Sequence, residues 1–138
     1  MPRTIDMKLM RYINLFGRIS KVSPEHCFIY NSTIVFAVPG FKVQRAIGKD
    51  AENLRKMSET IRKKIKVVAV PQGVNDAEKF ISTIISPAEL KGVEIDGNTL
   101  IINAGSQNKA MLIGRNKARL DEMRKIVKDY FSKELRIV

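Results

Sequence analysis

The sequence predicts an α+β fold built twice: two tandem αββααβ units, residues 1–71 and 72–138, each a small three-stranded sheet covered by helices. Three observations carry this reading. The stretch Ala46-Ile47-Gly48-Lys49-Asp50-Ala51-Glu52-Asn53-Leu54 has a partner 66 residues on, Leu112-Ile113-Gly114-Arg115-Asn116-Lys117-Ala118-Arg119-Leu120. Each sets Ile-Gly, a basic residue and two more loop residues before a helical pattern. Around both, helical and strand periodicities follow in the same order. Between them lies Pro71-Gln72-Gly73-Val74-Asn75, the best linker in the chain and a short one.

In the first unit, Leu9, Met10, Ile13, Leu15 and Phe16 make a helical stripe from Asp6 to about Arg18, with Asp6 as N-cap and Gly17 where the helix should fray. Ser23-Pro24-Glu25 breaks the period. A strand over His26–Tyr30, a tight turn at Asn31-Ser32 and a returning strand over Thr33–Val38 follow, ended by Pro39-Gly40. A short helix from about Lys42 to Ile47 is cut by Gly48. A longer one, from about Ala51 to Lys64, carries Leu54, Met57, Ile61 and Ile65 on one face, and Lys66–Val70 closes the unit as a strand.

The second unit repeats the pattern. Asp76 caps a helix with Phe80, Ile81, Ile84 and Ile85 inward. Ser86-Pro87-Ala88-Glu89 has capping-box spacing with proline at the first helical position. Gly92–Ile95 and Thr99–Asn103 flank the turn-rich Asp96-Gly97-Asn98 and predict a hairpin. Ser106 is the expected cap of a short helix to Ile113, interrupted by Gly114. A helix over Lys117–Phe131 turns Leu120, Met123, Val127 and Phe131 inward, and Leu135–Val138 is the closing strand.

Composition narrows the function. The chain of 138 residues has a formal net charge of +11 and a pI near 10.0, which favours a polyanionic partner, nucleic acid before membrane. The charge is uneven: residues 1–71 hold 14 Lys and Arg against 5 Asp and Glu, and residues 72–138 hold 11 against 9. A lysine-rich surface also serves solubility, so charge alone does not choose a function. No apolar run reaches the length of a membrane span, and the polar N-terminus does not read as a signal peptide. One cysteine excludes an internal disulfide and fits a cytoplasmic protein. His26 and Cys27, the sole His and Cys, are strand neighbours pointing to opposite faces, so neither a catalytic pair nor a metal site is expected. No enzyme activity and no cofactor are expected. Phe28, Tyr30 and Phe36 offer either a stacking platform or, as is commoner for aromatics in a hairpin, core. Arg62-Lys63-Lys64 reads as a solvated helix end.

The loops carry the chemistry. A glycine break leaves the first amides of the following helix unpaired, and these amides, with the positive end of the helix dipole, attract a phosphate oxygen. Glycine also permits close approach of a sugar-phosphate backbone, and Lys49 or Arg115 adds a full charge. The plainer account is that Gly48 and Gly114 only allow a tight helix-turn-helix corner; two copies in so basic a chain favour the phosphate-facing account.

A helix-Ile-Gly-x-x-Gly-helix stretch within an αββααβ unit resembles the type II KH domain, whose loop clamps nucleotides of a single strand. Two such units joined by a short linker resemble the archaeal homologues of the transcription factor NusA, and the resemblance covers nearly the whole chain. It implies single-stranded RNA, the nascent transcript, as partner, with RNA polymerase or other transcription factors as further partners, no membrane, and a role in termination, antitermination or elongation. It carries over Gly48, Lys49, Asp50 and Ala51 as the first loop and Gly114, Arg115, Asn116 and Lys117 as the second. Lys42, Arg45 and Asn53 around the first and Lys109 before the second complete the candidate RNA-binding set. Both loops depart from the family pattern: the second glycine is Ala51 in one and Lys117 in the other. Alanine costs little there if the residue takes helical geometry; Asp50 repels a phosphate. The alternative function is a KH-like scaffold with degenerate loops that docks on RNA polymerase or a ribosomal particle.

Units of about 70 residues build small cores, and the short linker holds them together, so a fixed buried interface between them is expected. Expressed alone, residues 1–71 are expected to melt well below the full chain; a fragment with an equally cooperative, equally stable urea transition would contradict this.

Overall fold

The computed structural model describes residues 7–138, and the chain divides into two compact units on either side of the Val70–Pro71 bond. The fold is α+β, with two small three-stranded sheets covered by helices. Asp6, the expected N-cap, lies outside the described residues.

The first unit comprises α1 (Met7–Ser20), β1 (His26–Tyr30), β2 (Thr33–Val38), α2 (Val43–Ile47), α3 (Glu52–Ile61) and β3 (Lys64–Ala69). Asn31 and Ser32 both take positive φ, 51° and 60°, the geometry whose twist suits a two-residue hairpin. β1 therefore pairs antiparallel with β2, Phe28 opposite Val35. β3 returns parallel to β2 on its other side, Phe36 beside Val67. Alternation puts Ile34, Phe36 and Val38 on one face of the central strand, where they pack with Phe16 and Val22 beneath Val43, Ala46, Leu54 and Met57. The rings of Phe16 and Phe36 stack with centroids 4.3 Å apart. Truncating either to alanine typically costs about 3–5 kcal/mol at such a site.

Several expected boundaries shift in this unit, each for a local reason; β3 spans Lys64–Ala69 rather than Lys66–Val70, and α3 starts at Glu52 rather than Ala51. α1 does not fray at Gly17 but runs to Ser20. Its end is fixed by left-handed Lys21 (φ 62°), whose amide donates to the Gly17 carbonyl at 3.0 Å, and by buried Val22 just beyond. α3 stops at Ile61 rather than Lys64, because Arg62 is left-handed and Lys64 and Ile65 already pair with Thr33 and Ile34. Ile65 is thus a strand residue of the core, not the last rung of a helical stripe. The helix expected from Lys42 begins at Val43, after a 3-10 turn over Gly40–Lys42.

The second unit comprises α4 (Ala77–Ile85), β4 (Gly92–Asp96), β5 (Thr99–Asn103), α5 (Gly105–Ile113), α6 (Ala118–Phe131) and β6 (Glu134–Ile137). Its sheet repeats the first: β4 antiparallel and β6 parallel to central β5. Leu100 and Ile102 are buried on one face, while the other carries the exposed Glu94, Asp96, Glu134 and Arg136. Phe80 of α4 meets Tyr130 and Phe131 of α6 at centroid distances of 4.7 and 6.0 Å. α6 has 14 residues where α3 has 10. The difference is close to one turn, so Met123, Val127 and Phe131 stay in phase on the buried side.

Here too the caps differ from expectation. Ser86 and Pro87 lie in a turn closed by the Ala88 amide on the Ile85 carbonyl at 3.0 Å, so no helix starts there. Asp76 stands at the N-cap position of α4, but its carboxylate accepts the Gln72 amide at 2.8 Å instead of a helix amide. α5 starts at Gly105, ahead of Ser106, with Ala104 in the cap position. α6 starts at Ala118 and β6 at Glu134, each one residue from expectation.

A Cβ added at Gly17 would meet nothing within 4 Å, and the residue lies inside a helix. Gly17→Ala is therefore expected to stabilise the protein by about 0.5–1 kcal/mol, through helix propensity and a less free unfolded chain; a urea titration monitored by circular dichroism measures it.

Candidate nucleic-acid interface

The two loops have the same backbone. Gly48 ends α2 with φ 82° and ψ 168°, and Gly114 ends α5 with φ 75° and ψ 173°. Two left-handed residues follow in each: Asp50 (53°, 33°) and Ala51 (58°, 29°), then Asn116 (54°, 29°) and Lys117 (62°, 23°). The Ala51 amide donates to the Gly48 carbonyl and the Lys117 amide to the Gly114 carbonyl, both at 3.2 Å. Sequences as different as Gly-Lys-Asp-Ala and Gly-Arg-Asn-Lys thus take one conformation.

Residue chemistry explains part of this. The glycine dihedrals lie in a region open essentially to glycine alone. The space is closed as well: a Cβ on Gly48 would lie 2.9 Å from Asn53 Nδ2, and one on Gly114 would lie 2.7 Å from Arg119 Cγ and 3.0 Å from the Arg119 amide nitrogen. Asp and Asn at the next strained position tolerate left-handed backbone through local hydrogen bonding. Ala51 and Lys117 have no such means. Ala51 does not meet the condition under which alanine would cost little, right-handed helical geometry; it is left-handed, which costs roughly 1–2 kcal/mol for a residue with a Cβ.

α3 and α6 begin directly after these residues, and neither has a side-chain cap. The first amides of the two helices, those of Glu52 and Ala118, donate to the carbonyls of Lys49 and Arg115, and the positive end of each helix dipole lies just behind the loop. The electrostatics differ between the copies. α3 opens on Glu52, which pairs with Lys56 at 3.1 Å, behind exposed Asp50. α6 opens on Ala118 and Arg119, with exposed Arg115, Asn116 and Lys117 before it. The second loop is the more cationic.

The structure gathers Lys42, Arg45, Gly48, Lys49 and Asn53 along α2, its loop and the start of α3, and Lys109, Gly114, Arg115, Asn116 and Lys117 along α5, its loop and the start of α6. Arg45, Lys49, Lys109, Arg115, Asn116 and Lys117 are exposed, and Lys42 is half-buried. Asn53 is a brace: its amide donates to the carbonyls of Arg45 and Ala46 at 3.3 and 3.2 Å, tying α3 to the end of α2. Sequence reasoning missed Arg55, whose Nη1 donates to the Asp50 carbonyl, and Arg119, which packs on Gly114 and pairs with Glu122 at 2.8 Å. Their signal was positional, since Arg55 follows Asp50 by five residues and Arg119 follows Gly114 by five.

Other candidates are used up elsewhere. Phe36 and Tyr30 are buried and Phe28 is half-buried, so the hairpin aromatics do not form an open stacking platform. Cys27 packs against the first core, and burial pushes its thiol up to about 12, leaving almost no thiolate at neutral pH. No group of three or more His, Cys, Asp or Glu suited to a metal occurs among the described residues. No helix among them is long and apolar enough to cross a membrane. Arg62, Lys63 and Lys64 are exposed where α3 ends and β3 begins, Arg62 being the C-cap of the helix. On β3, Lys66 is held below the usual lysine range by partial burial and then by nearby Lys64.

Comparison with known proteins gives a consistent direction. No family model matches the chain. It is 23% identical over 131 residues to the probable transcription termination protein NusA of Halococcus morrhuae, across 93% of this chain and 92% of that one. It is 27% identical over 120 residues to the probable transcription termination protein NusA of Methanocaldococcus jannaschii, across 84% of this chain and 64% of that longer one. The crystal structure of APE1850 matches in fold, with a TM-score of 0.65 and 22% identity over 97% of this chain and 100% of that one.

The loop dihedrals make a two-signed prediction. Ala51→Gly and Lys117→Gly are each expected to stabilise their unit by about 1 kcal/mol by relieving left-handed strain. Gly114→Ala is expected to cost about 1–3 kcal/mol. Chemical denaturation of the three variants against the parent measures all of these.

Proposed function

We propose that this chain is a NusA-like transcription factor that binds single-stranded RNA, the nascent transcript, through tandem type II KH domains at residues 1–71 and 72–138. It is a binder rather than an enzyme. The observation that carries this reading is the recurrence of one strained loop conformation, glycine followed by two left-handed residues and an uncapped helix, in both units. The sheet order, with an antiparallel hairpin and a parallel return over two helices, supports the type II assignment. The names of the two relatives support transcription as the setting.

Each loop holds a backbone phosphate at the positive end of the α3 or α6 dipole. Lys42, Arg45 and Lys49 surround the first, and Lys109, Arg115 and Lys117 the second. A side chain at Gly48 or Gly114 would strain the loop against the following helix. The second loop grips harder, because Asp50 and Glu52 oppose an anion at the first. RNA polymerase or other transcription factors are the protein partners. A second reading, an interaction scaffold that docks on RNA polymerase or a ribosomal particle, draws on the exposed carboxylate of Asp50 at the tip of the first loop.

Fluorescence anisotropy with one short single-stranded RNA separates these readings. Affinity is expected to fall log-linearly with salt, by roughly 0.7 per phosphate neutralised. Replacing Arg115 and Lys117 by Asp is expected to weaken binding by about tenfold more than replacing Lys63 and Lys64 by Asp, at equal change in net charge. Asp50→Gly is expected to strengthen binding. Equal losses from the two double variants would make the loops mere corners, and salt-insensitive binding would favour the scaffold.

A further inference from the structure

Phe41 is 85% exposed, the most exposed large apolar side chain among the described residues. It stands in the 3-10 turn Gly40–Lys42 that runs directly into α2. Lone exposed apolar residues are ordinary on protein surfaces, but the setting of this one is not. Residues 38–49 hold three cations, Lys42, Arg45 and Lys49, and no acid. The Lys42 ammonium lies 5.6 Å from the centre of the Phe41 ring, a contact that leaves the ring open to solvent. Val43, Ala46 and Ile47 belong to the core side of the run. Phe41 stands in the turn just before α2, Arg45 is exposed on α2 itself, and Gly48 ends that helix, so ring, guanidinium and loop follow one another within eight residues of chain.

We infer that Phe41 is a base-stacking platform for single-stranded RNA whose sugar-phosphate backbone follows α2 to the Gly48 loop; this rests on the RNA-binding reading above and adds a base contact to it. An aromatic face accepts any base, and the cations that follow it hold neighbouring phosphates, the pairing used for single strands without strict sequence preference. The second unit has no counterpart. Sixty-six residues on from Phe41 stands Gln107, and the Arg45 position holds exposed Met111. The units thus divide the work: the first offers an aromatic surface beside a weakened loop, the second a stronger loop without one.

The test uses the full chain, a short single-stranded RNA and inorganic polyphosphate as an anion without bases. Phe41→Ala is expected to lose on the order of tenfold in RNA affinity. Its salt slope should not change, because no charge is removed, and polyphosphate binding should stay as in the parent. Phe41→Tyr is expected to restore RNA affinity. A thermal melt equal to the parent's is expected, since the ring is outside the core. RNA affinity unchanged in Phe41→Ala, or an equal loss toward polyphosphate, would overturn the stacking role while leaving loop binding intact. Absence of RNA binding by the parent chain would remove the RNA reading and this proposal together.

Discussion

The structure depends on one constraint, the parallel pairing of the last strand of each unit with the central one. Parallel neighbours cannot be joined by a tight turn; the chain must cross back over the sheet and begin again at the same end. In both units that crossover is a pair of helices, and the return path requires an abrupt change of direction between them. Glycine supplies the first bend at Gly48 and Gly114, and two left-handed residues supply the rest. The corner that topology demands is also where a helix starts without a cap. The positive end of each helix dipole thereby comes to lie beside the corner. The fold sets this geometry before any side chain is chosen for it.

Side chains then decide how the two corners are used. Asn53 spends its amide on the end of α2, and Arg119 lies over Gly114 while paired with Glu122. Both residues follow the glycine by five positions and press the second helix down onto it. Asp50 and Asn116 occupy equivalent places with different charge, so identical backbones carry opposite preferences for an anion.

Much of this was legible in the sequence. The strand bounds of His26–Tyr30 and Thr33–Val38 came from short runs of aromatic and β-branched residues and a polar two-residue turn, signals that depend only on neighbours in the chain. The glycines were legible because nothing else breaks a helical pattern so abruptly. What escaped depended on distant contacts. Ile65 fits a helical stripe as well as a strand, and pairing with Ile34 decides between them. Gly17 reads as a stop until buried Val22 is seen to hold the helix end in the core. Ser86-Pro87 has the composition of a cap, but the trajectory from α4 to β4 needs a turn there. The exposure of Phe41 is not written in sequence, since an aromatic after Pro-Gly fits the edge of a core equally well. The left-handed state of Ala51 and Lys117 was hidden for the opposite reason, since neither residue prefers it and only the closed loop imposes it.

The extra length of α6 has a consequence for how such units can change. One end of this helix is pinned by the glycine corner and the other by the strand that must pair beside β5, so its rotation is fixed at both ends. An insertion is tolerated only if it returns the helix to nearly the same angle, and four residues do so to within about 40°. Two added residues would turn Val127 and Phe131 by about 200° and expose them to water. Growth between these anchors is quantised in whole turns, so related sequences should differ in this helix by steps of three, four or seven residues, with intermediate lengths missing.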